Sequence, residues 1–265
     1  MDNKLIILGS GAAPGVPSLA SGWGACNPDN PKNRRRRTGT YIEIDGVKFL
    51  IDTSADIHWQ LLDNNIRYVD AVLYTHAHAD HLHGIDDLRD LNRISRLPLD
   101  VYGSEDTIRD IKNRFPYLVS DKDHPNDPLF KPSLIVNIVE HGKPFYVKGV
   151  KIVPINLSGH PVISNGYIFN DNKLVYIADC LQIEEDSLSI IEEKSDLMVM
   201  PLTILETKWE KPYHMGLEKL LEYVNLVKPC KTIINHMATE CDYDNVNALT
   251  PENVVPAYDN MVVKF

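Results

Sequence analysis

The sequence has no paired cysteine motif and no long apolar run. Its four cysteines include no C-x-x-C pair, and no apolar stretch approaches the roughly 20 residues that a membrane-spanning helix needs. The apolar run from Leu5 to Leu8 is too short for a signal peptide and ends at Gly9. The sequence therefore predicts neither a disulfide framework nor a membrane segment, and a cytoplasmic protein with reduced thiols is the default expectation.

Positive charge is also scarce. The chain has 27 lysines and arginines against 37 aspartates and glutamates, so its formal net charge is −10 at pH 7. A chain this acidic repels the phosphate backbone of nucleic acids unless a local basic patch overcomes the repulsion. One such patch exists, Arg34 to Arg37, although a run this short is as often a solvated loop. The composition therefore disfavours nucleic acid as a partner, and only this patch argues for nucleic-acid binding.

Length and composition suit one sizeable domain. The chain has 265 residues, 43% of them hydrophobic, and can bury a substantial core without a stapling metal. No Ser/Gly tract, low-complexity run or repeat interrupts it, so we predict a single domain over residues 1–265. Hairpin signals, such as Asp45-Gly46 between two apolar runs, occur together with alternating strands and helices. This mixture predicts two mixed sheets packed together with helices outside, in the α/β (α+β) class.

The apolar pattern also predicts where helices and long loops lie. The predicted helices are Ile57–Asn64, Ile85–Ile94, Thr107–Arg114, Glu184–Glu193 and Leu217–Val227. The stretch Ser10–Arg37 is rich in Gly, Pro and Asn and predicts a long loop, and long ordered loops in compact domains are often functional. A second irregular stretch, Phe115–Pro132, is rich in proline.

A dense cluster of metal-binding side chains follows the predicted strand Ala71–Tyr74. The six residues 76–81 read H-x-H-x-D-H and contain four candidates: His76, His78, Asp80 and His81. The two histidines lie two residues apart and can point the same way, whereas the last two residues follow a turn and can face a second ion. Imidazole nitrogens and carboxylate oxygens are the usual ligands of catalytic zinc. The density of the cluster argues against an ordinary solvated loop.

Three more candidate ligands stand at the ends of predicted strands far along the chain. His160 follows a strand after Ser158-Gly159, Asp179 ends the strand Leu174–Ala178, and His236 ends the strand Thr232–Ile234. Each alone is better explained as an ordinary surface residue. Together with the H-x-H-x-D-H segment, they predict a metal site at the carboxyl ends of several strands.

These motifs, in this order from Leu5 to Phe265, resemble the metallo-β-lactamase superfamily. The resemblance implies a four-layer αββα sandwich and two divalent metal ions, with zinc expected first and manganese as the alternative. It implies that the ligands of one ion are His76, His78 and His160, that those of the other are Asp80, His81 and His236, and that Asp179 bridges the two. Asp52 matches a family aspartate that supports the ligating histidines, although a turn aspartate is the other explanation.

A narrower resemblance concerns the substrate. Gly9-Ser10-Gly11, the run from Lys32 to Arg35 and the run from His214 to Glu218 are similar to the cyclic-phosphate phosphodiesterases of phosphonate breakdown. This resemblance implies that a hydroxide bridging the metals attacks phosphorus, with Asp80 and His214 as catalytic residues, the latter as general acid. It also implies phosphate contacts from the substrate-binding residues Arg34, Arg35, Arg37 and His83, with His83 alternatively capping a helix.

Two departures from the relatives bear on the substrate. The phosphonate-linked enzymes carry a cysteine cluster that holds a structural zinc, whereas the corresponding stretch here has only Cys26. The tRNA-processing endonucleases of the superfamily clamp RNA with a Gly-rich basic arm that this sequence lacks. We therefore predict a dinuclear phosphodiesterase acting on a small cyclic phosphate or nucleotide-like diester. An RNA 3′-end nuclease and a non-catalytic metal-bound binding module are the alternatives, and the sequence leaves monomer or homodimer open.

Overall fold

The structure is a computed structural model and describes residues 3–123, 125–127, 132–206 and 213–265. Its strands, in chain order, are β1 (Lys4–Gly9), β2 (Gly39–Ile44), β3 (Val47–Ile51), β4 (Ala71–Leu73), β5 (Leu99–Gly103), β6 (Leu134–Ile138), β7 (Phe145–Val147), β8 (Val150–Ser158), β9 (Ser164–Phe169), β10 (Leu174–Tyr176), β11 (Gln182–Ile183), β12 (Leu197–Pro201), β13 (Lys231–Asn235), β14 (Val254–Pro256) and β15 (Met261–Lys264). The α-helices are α1 (Ile57–Asp63), α2 (Ala79–Leu82), α3 (Leu88–Ser95), α4 (Glu105–Arg114), α5 (Glu185–Ile190), α6 (Leu217–Val227) and α7 (Tyr243–Leu249). Two 3-10 turns cover Pro31–Asn33 and Ile85–Asp87.

The strands form two mixed sheets with the same plan. The first sheet has the order β15-β1-β2-β3-β4-β5-β6, and the second has the order β11-β8-β9-β10-β12-β13-β14, with β7 paired to β8. In each sheet a run of antiparallel strands continues into parallel strands. These are β3, β4, β5 and β6 in the first sheet, and β10, β12, β13 and β14 in the second. The carboxyl ends of parallel strands meet at one edge of a sheet, which is where ligands bind in such folds.

Burial on both faces of the first sheet shows that it is an inner layer. Along β1, Leu5 and Ile7 pack into the cluster shared with the second sheet, whereas Ile6 and Leu8 pack against helices on the other face. The Phe49 and Phe169 rings meet edge to face at 5.5 Å between centroids, joining the two sheets.

Helices cover both outer faces. Helices α1, α3 and α4 pack on the first sheet, and α6 packs on the second. The expectation of an αββα sandwich is confirmed.

Several predicted elements differ in detail from the observed ones. The predicted helix Ile85–Ile94 is a 3-10 turn followed by α3, and α5 ends at Ile190 rather than Glu193. Helix α7 and strand β14 were not predicted. Part of the irregular stretch Phe115–Pro132 lies outside the described residues. Among the residues described, no helix combines the length and apolar character needed to cross a membrane.

Candidate metal centre

The first four candidate ligands follow β4 of the first sheet. His76 and His78 lie in the loop that leaves the strand, and Asp80 and His81 lie in the single turn of α2. The backbone of His78 is extended, so His78 lies outside helix α2, which begins at the next residue. The turn places Asp80 and His81 apart from the first two histidines, as the spacing predicts.

The other three candidate ligands come from the second sheet. His160 follows β8, Asp179 follows β10, and His236 follows β13 directly. Gly159 precedes His160 with φ +77°, and a Cβ on it would lie 2.3 Å from Cβ of Leu181. Only glycine fits this backbone position, so the chain can pass close to Leu181 and turn His160 toward the site.

The seven side chains form two neighbouring groups. The first contains His76, His78 and His160, and the second contains Asp80, His81, Asp179 and His236; within each group one ligand atom per residue lies within 4.8 Å of every other. The first group matches the set that the resemblance implies for one ion. The second contains the three residues implied for the other ion together with Asp179; its role as a bridge stays a prediction.

Nitrogen atoms converge in the first group. Nδ1 of His78 lies 3.1 Å from Nε2 of His76 and 2.9 Å from Nε2 of His160. Ligands at about 2.0–2.1 Å from a tetrahedral zinc stand roughly 3.3 Å apart, so these spacings suit one ion. Burial is the main cause that lowers the pKa of all three rings, and neutral imidazole is the form that binds metal.

Carboxylates surround the imidazoles of the second group. Nε2 of His236 lies 2.9 Å from Oδ2 of Asp179 and 3.4 Å from Oδ2 of Asp80. Nε2 of His81 is buried without a hydrogen-bond partner, although oxygens of the same two carboxylates lie at 3.3 and 3.5 Å. A buried nitrogen of this kind, aimed among carboxylate oxygens, fits a divalent cation between them.

Partners on the far side of each ring hold the histidines in place. The fully buried Asp52 accepts hydrogen bonds from Thr75 N and Oγ1 at 2.8 Å, and its Oδ2 lies 2.7 Å from Nδ1 of His81. Burial raises the pKa of Asp52, while the charge of His81 opposes that rise. This geometry leaves Nε2 of His81 to point toward the carboxylates of the second group; the supporting role of Asp52 in a metal site stays a prediction.

Three further orienting contacts were not predicted from the sequence. Oγ1 of Thr75 lies 3.0 Å from Nδ1 of His76, and Oγ1 of Thr203 lies 3.1 Å from Nδ1 of His236. Nδ1 of His160 lies 3.4 Å from the carbonyl oxygen of Tyr213. A hydroxyl or carbonyl partner for the distal nitrogen of a ligand is typical of metal sites.

His214 lies between the two groups. Its ring centroid is 5.1 Å from that of His160 in the first group and 6.0 Å from that of His236 in the second. Its Nδ1 is buried without a hydrogen-bond partner, and burial is the main cause that lowers its pKa to about 4. His214 therefore lies beside the place where both ions would be held, and its role as a catalytic acid stays a prediction.

Most arginines of the run Arg34 to Arg37 make contacts within the protein. Arg35 is 2% exposed, so its guanidinium is inconsistent with the predicted direct grip on phosphate. Arg36 pairs with Asp63, and Arg37 pairs with Asp56. Of these four arginines, only Arg34 is exposed and has no acidic partner among the interactions seen in the described residues. Its Cζ lies 5.3 Å from the centroid of the Trp23 ring.

His83 belongs to neither ligand group. It is exposed, directly follows α2, and its ring centroid lies 6.0 Å from that of Phe115. Its predicted roles in substrate binding or helix capping stay predictions.

A structural zinc does not fit around Cys26. The residue is buried, its Sγ lies 3.5 Å from the carbonyl oxygen of Thr239, and the cationic Arg35 Nη1 lies 3.8 Å away. Among the described residues, Cys26 shares no metal-binding group with other ligands. A positive guanidinium beside the sulfur opposes the binding of a second cation there.

Comparisons with known proteins agree with this geometry. A solved structure described as a new diphosphatase from the PhnP family is 27% identical, with a TM-score of 0.86 over 100% of this chain and 98% of that one. The Octanoyltransferase of Porphyromonas gingivalis (strain ATCC BAA-308 / W83) is 25% identical over 260 residues, which are 97% of this chain and 51% of that protein. The chain thus spans about half the length of that relative.

A shorter match and a family model complete the comparison. Ribonuclease Z of Bradyrhizobium sp. (strain ORS 278) is 34% identical over 82 residues, 29% of this chain and 27% of that protein. The model of the beta-lactamase superfamily domain matches residues 48–237, a range that includes all seven candidate ligands. The chain belongs to the metallo-β-lactamase superfamily.

Proposed function

We propose that this chain is a dinuclear phosphodiesterase that hydrolyses a small cyclic phosphate or a nucleotide-like diester. The observation that carries the proposal is the position of His214, whose imidazole lies beside both ligand groups. Binding of metal alone would not require an ionisable group there. The similarity to a diphosphatase of the PhnP family supports phosphate chemistry.

Two ions would be held by His76, His78 and His160 and by Asp80, His81 and His236, with Asp179 between them and zinc favoured over manganese. When bound, such ions acidify water and neutralise charge on a phosphate ester. The chain itself orients three of these histidines through side-chain contacts: Asp52 contacts His81, Thr75 contacts His76, and Thr203 contacts His236. Asp80, predicted as catalytic, would act from within the ligand set.

His214 would supply the proton for the leaving group. Water oxygen bonds to phosphorus and gives up one proton to solvent, the bond from phosphorus to the leaving oxygen breaks, and that oxygen takes a proton from the imidazolium form of His214. With a pKa of about 4 the ring is neutral before substrate binds. An anionic phosphate entering beside it raises that pKa, because a nearby negative charge favours the imidazolium form.

The names of the other relatives suggest different chemistry. Cys180, beside Asp179, is a poor nucleophile for acyl transfer, because it is fully buried and burial raises its pKa well above the usual value. An RNA 3′-end nuclease remains the second candidate, supported by the short match to Ribonuclease Z. The net charge of −10 argues against a long RNA substrate.

A substrate panel tests the proposal. Protein loaded with zinc or manganese is assayed on bis(p-nitrophenyl) phosphate, a 2′,3′-cyclic nucleotide, a model thioester and a short RNA, with chelated protein as the control. We expect metal-dependent hydrolysis of the first two substrates. Faster cleavage of RNA would favour the nuclease, faster cleavage of the thioester would contradict phosphodiesterase activity, and no cleavage at all would favour the binding module.

A further inference from the structure

A site for phosphate esters needs a cation to receive the charged oxygens, and the arginine run supplies little. Arg35 is buried, and Arg36 and Arg37 are paired with aspartates. Arg114, the last residue of α4, offers another positive charge, and its side chain contacts the loop that carries His76 and His78.

Arg114 is fixed directly against the ligand-bearing loop. Its Nη1 donates a hydrogen bond of 2.7 Å to the carbonyl oxygen of Ala77. Ala77 stands between His76 and His78, two ligands of the first group. Nη2 of Arg114 donates to Oδ2 of Asp110 at 2.9 Å, and the Arg114 side chain remains 41% exposed.

We propose that Arg114 is an anion-binding residue at the rim of the metal centre, where it receives a non-bridging oxygen of the phosphate. The inference rests on the proposed function and assigns a residue to its substrate. A guanidinium has five N–H donors in a rigid fork, and two contacts leave donors free toward solvent. Because the backbone contact already holds the side chain, little further freedom is lost when an anion binds.

The same helix, α4, contains a second arginine that forms only an ordinary surface ion pair. Arg109 pairs with Asp106, three residues earlier, and its side chain is 59% exposed. Such exposed pairs contribute little to stability. Arg114 differs because it also reaches out of its helix to a loop carboxyl-terminal to β4. Arg109 is therefore the matched control.

The test measures binding of inorganic phosphate to the metal-loaded protein by calorimetry. We expect Arg114→Gln to weaken phosphate binding roughly five- to tenfold, less than the loss of a buried charged hydrogen bond would cause, because the side chain is partly exposed and solvent screens its charge. Arg109→Gln should change it less than twofold. Asp110→Asn should strengthen binding about two- to threefold, because it removes the negative charge that competes for Arg114.

Separate readouts distinguish the possible failures. Metal content by elemental analysis should be unchanged in Arg114→Gln; loss of metal would make Arg114 a support for the ligand loop and overturn the assignment. Equal phosphate affinity in wild type and Arg114→Gln, or weaker binding in Asp110→Asn, would also overturn it. If wild-type protein neither binds phosphate nor cleaves the diester, the proposed function fails, and this inference fails with it.

Discussion

The imidazole of His214 faces both ligand groups but belongs to neither. As a general acid it should contribute about 10²- to 10⁴-fold to turnover, so His214→Ala should lower kcat on a poor leaving group by that order. The defect should shrink on a nitrophenolate ester, whose leaving group needs little protonation. Elemental analysis should find the metal content of wild type. An equal loss on good and poor leaving groups would instead assign His214 to substrate positioning.

The proton on His236 links metal binding to pH. Burial alone would lower its pKa, but the charge of Asp179 and its hydrogen bonds raise it from 6.5 to about 9 in the metal-free protein. Because the folded pKa is raised, the stability from this proton is present below pH 6.5 and lost as pH rises through about 9.

Metal must displace that proton, so metal affinity should rise with pH over the same range. Calorimetry of zinc binding at pH 7, in buffers of different ionisation enthalpy, should show net proton release. Asp179→Asn should reduce the release, because it removes the main charge that raises the pKa of His236. Zinc binding without proton uptake or release in wild type would contradict this linkage.

The sequence reveals the candidate ligands better than the residues that contact them from behind. Ligands such as Asp179 and His236 follow apolar strands, so a polar residue at a strand end is visible in the one-dimensional pattern. Thr203 contacts His236 only through the tertiary fold, and nothing in its local sequence marks it. The arginine run is misleading for the same reason, because charge in a sequence does not reveal the burial of Arg35.

At the scale of elements, the long N-terminal loop is fastened beside the metal centre. Met237 N donates to Ser10 O, and Ala12 N donates to Met237 O. The buried Arg35 adds hydrogen bonds from Nη2 to Asn33 Oδ1 at 3.0 Å and from Nη1 to Ala238 O at 3.4 Å. The loop therefore packs on the segment that directly follows the candidate ligand His236.

Removing the Arg35 contacts should destabilise the protein measurably. Hydrogen bonds to charged groups contribute about 1.5–3 kcal/mol, so Arg35→Met should lower the free energy of unfolding by about that amount in urea titrations. Arg34→Met is the matched control, because Arg34 is exposed, and its effect should stay within about 0.5 kcal/mol. Equal effects of the two variants would mean that Arg35 does not fasten the loop.

The elements missed by prediction have weak local signals. Helix α7 buries only Tyr243 and Val246 among its seven residues, so it has little apolar periodicity, and its start depends on the Asp242 side chain accepting from Asn245 N. Strand β14 has only three residues, and its extended conformation depends on hydrogen bonding to β13. The longer α6, with Leu220, Val224 and other apolar residues facing the core, is visible because its period is sustained.

For the whole molecule, the metal centre joins the two sheets. His76, His78, Asp80 and His81 follow a strand of the first sheet, whereas His160, Asp179 and His236 follow strands of the second. Each ligand group therefore contains residues from both halves of the sandwich. Ions held in this way bind the folded chain and have no equivalent site in an extended one, so their binding energy adds to folding stability.

Metal removal should accordingly lower the melting temperature strongly. A ligand at a hundred times its Kd stabilises the native state by about 2.7 kcal/mol per site, and about 1 kcal/mol shifts Tm by roughly 2–4 °C in a chain of this size. Two ions should therefore raise Tm by about 10 °C or more over chelated protein, as measured by calorimetric melting at pH 7.5. His214→Ala should keep the shift, and His160→Ala should lose part of it. Chelated and loaded wild-type protein that melt at the same temperature, with metal content verified, would show that the ions do not hold the two sheets together.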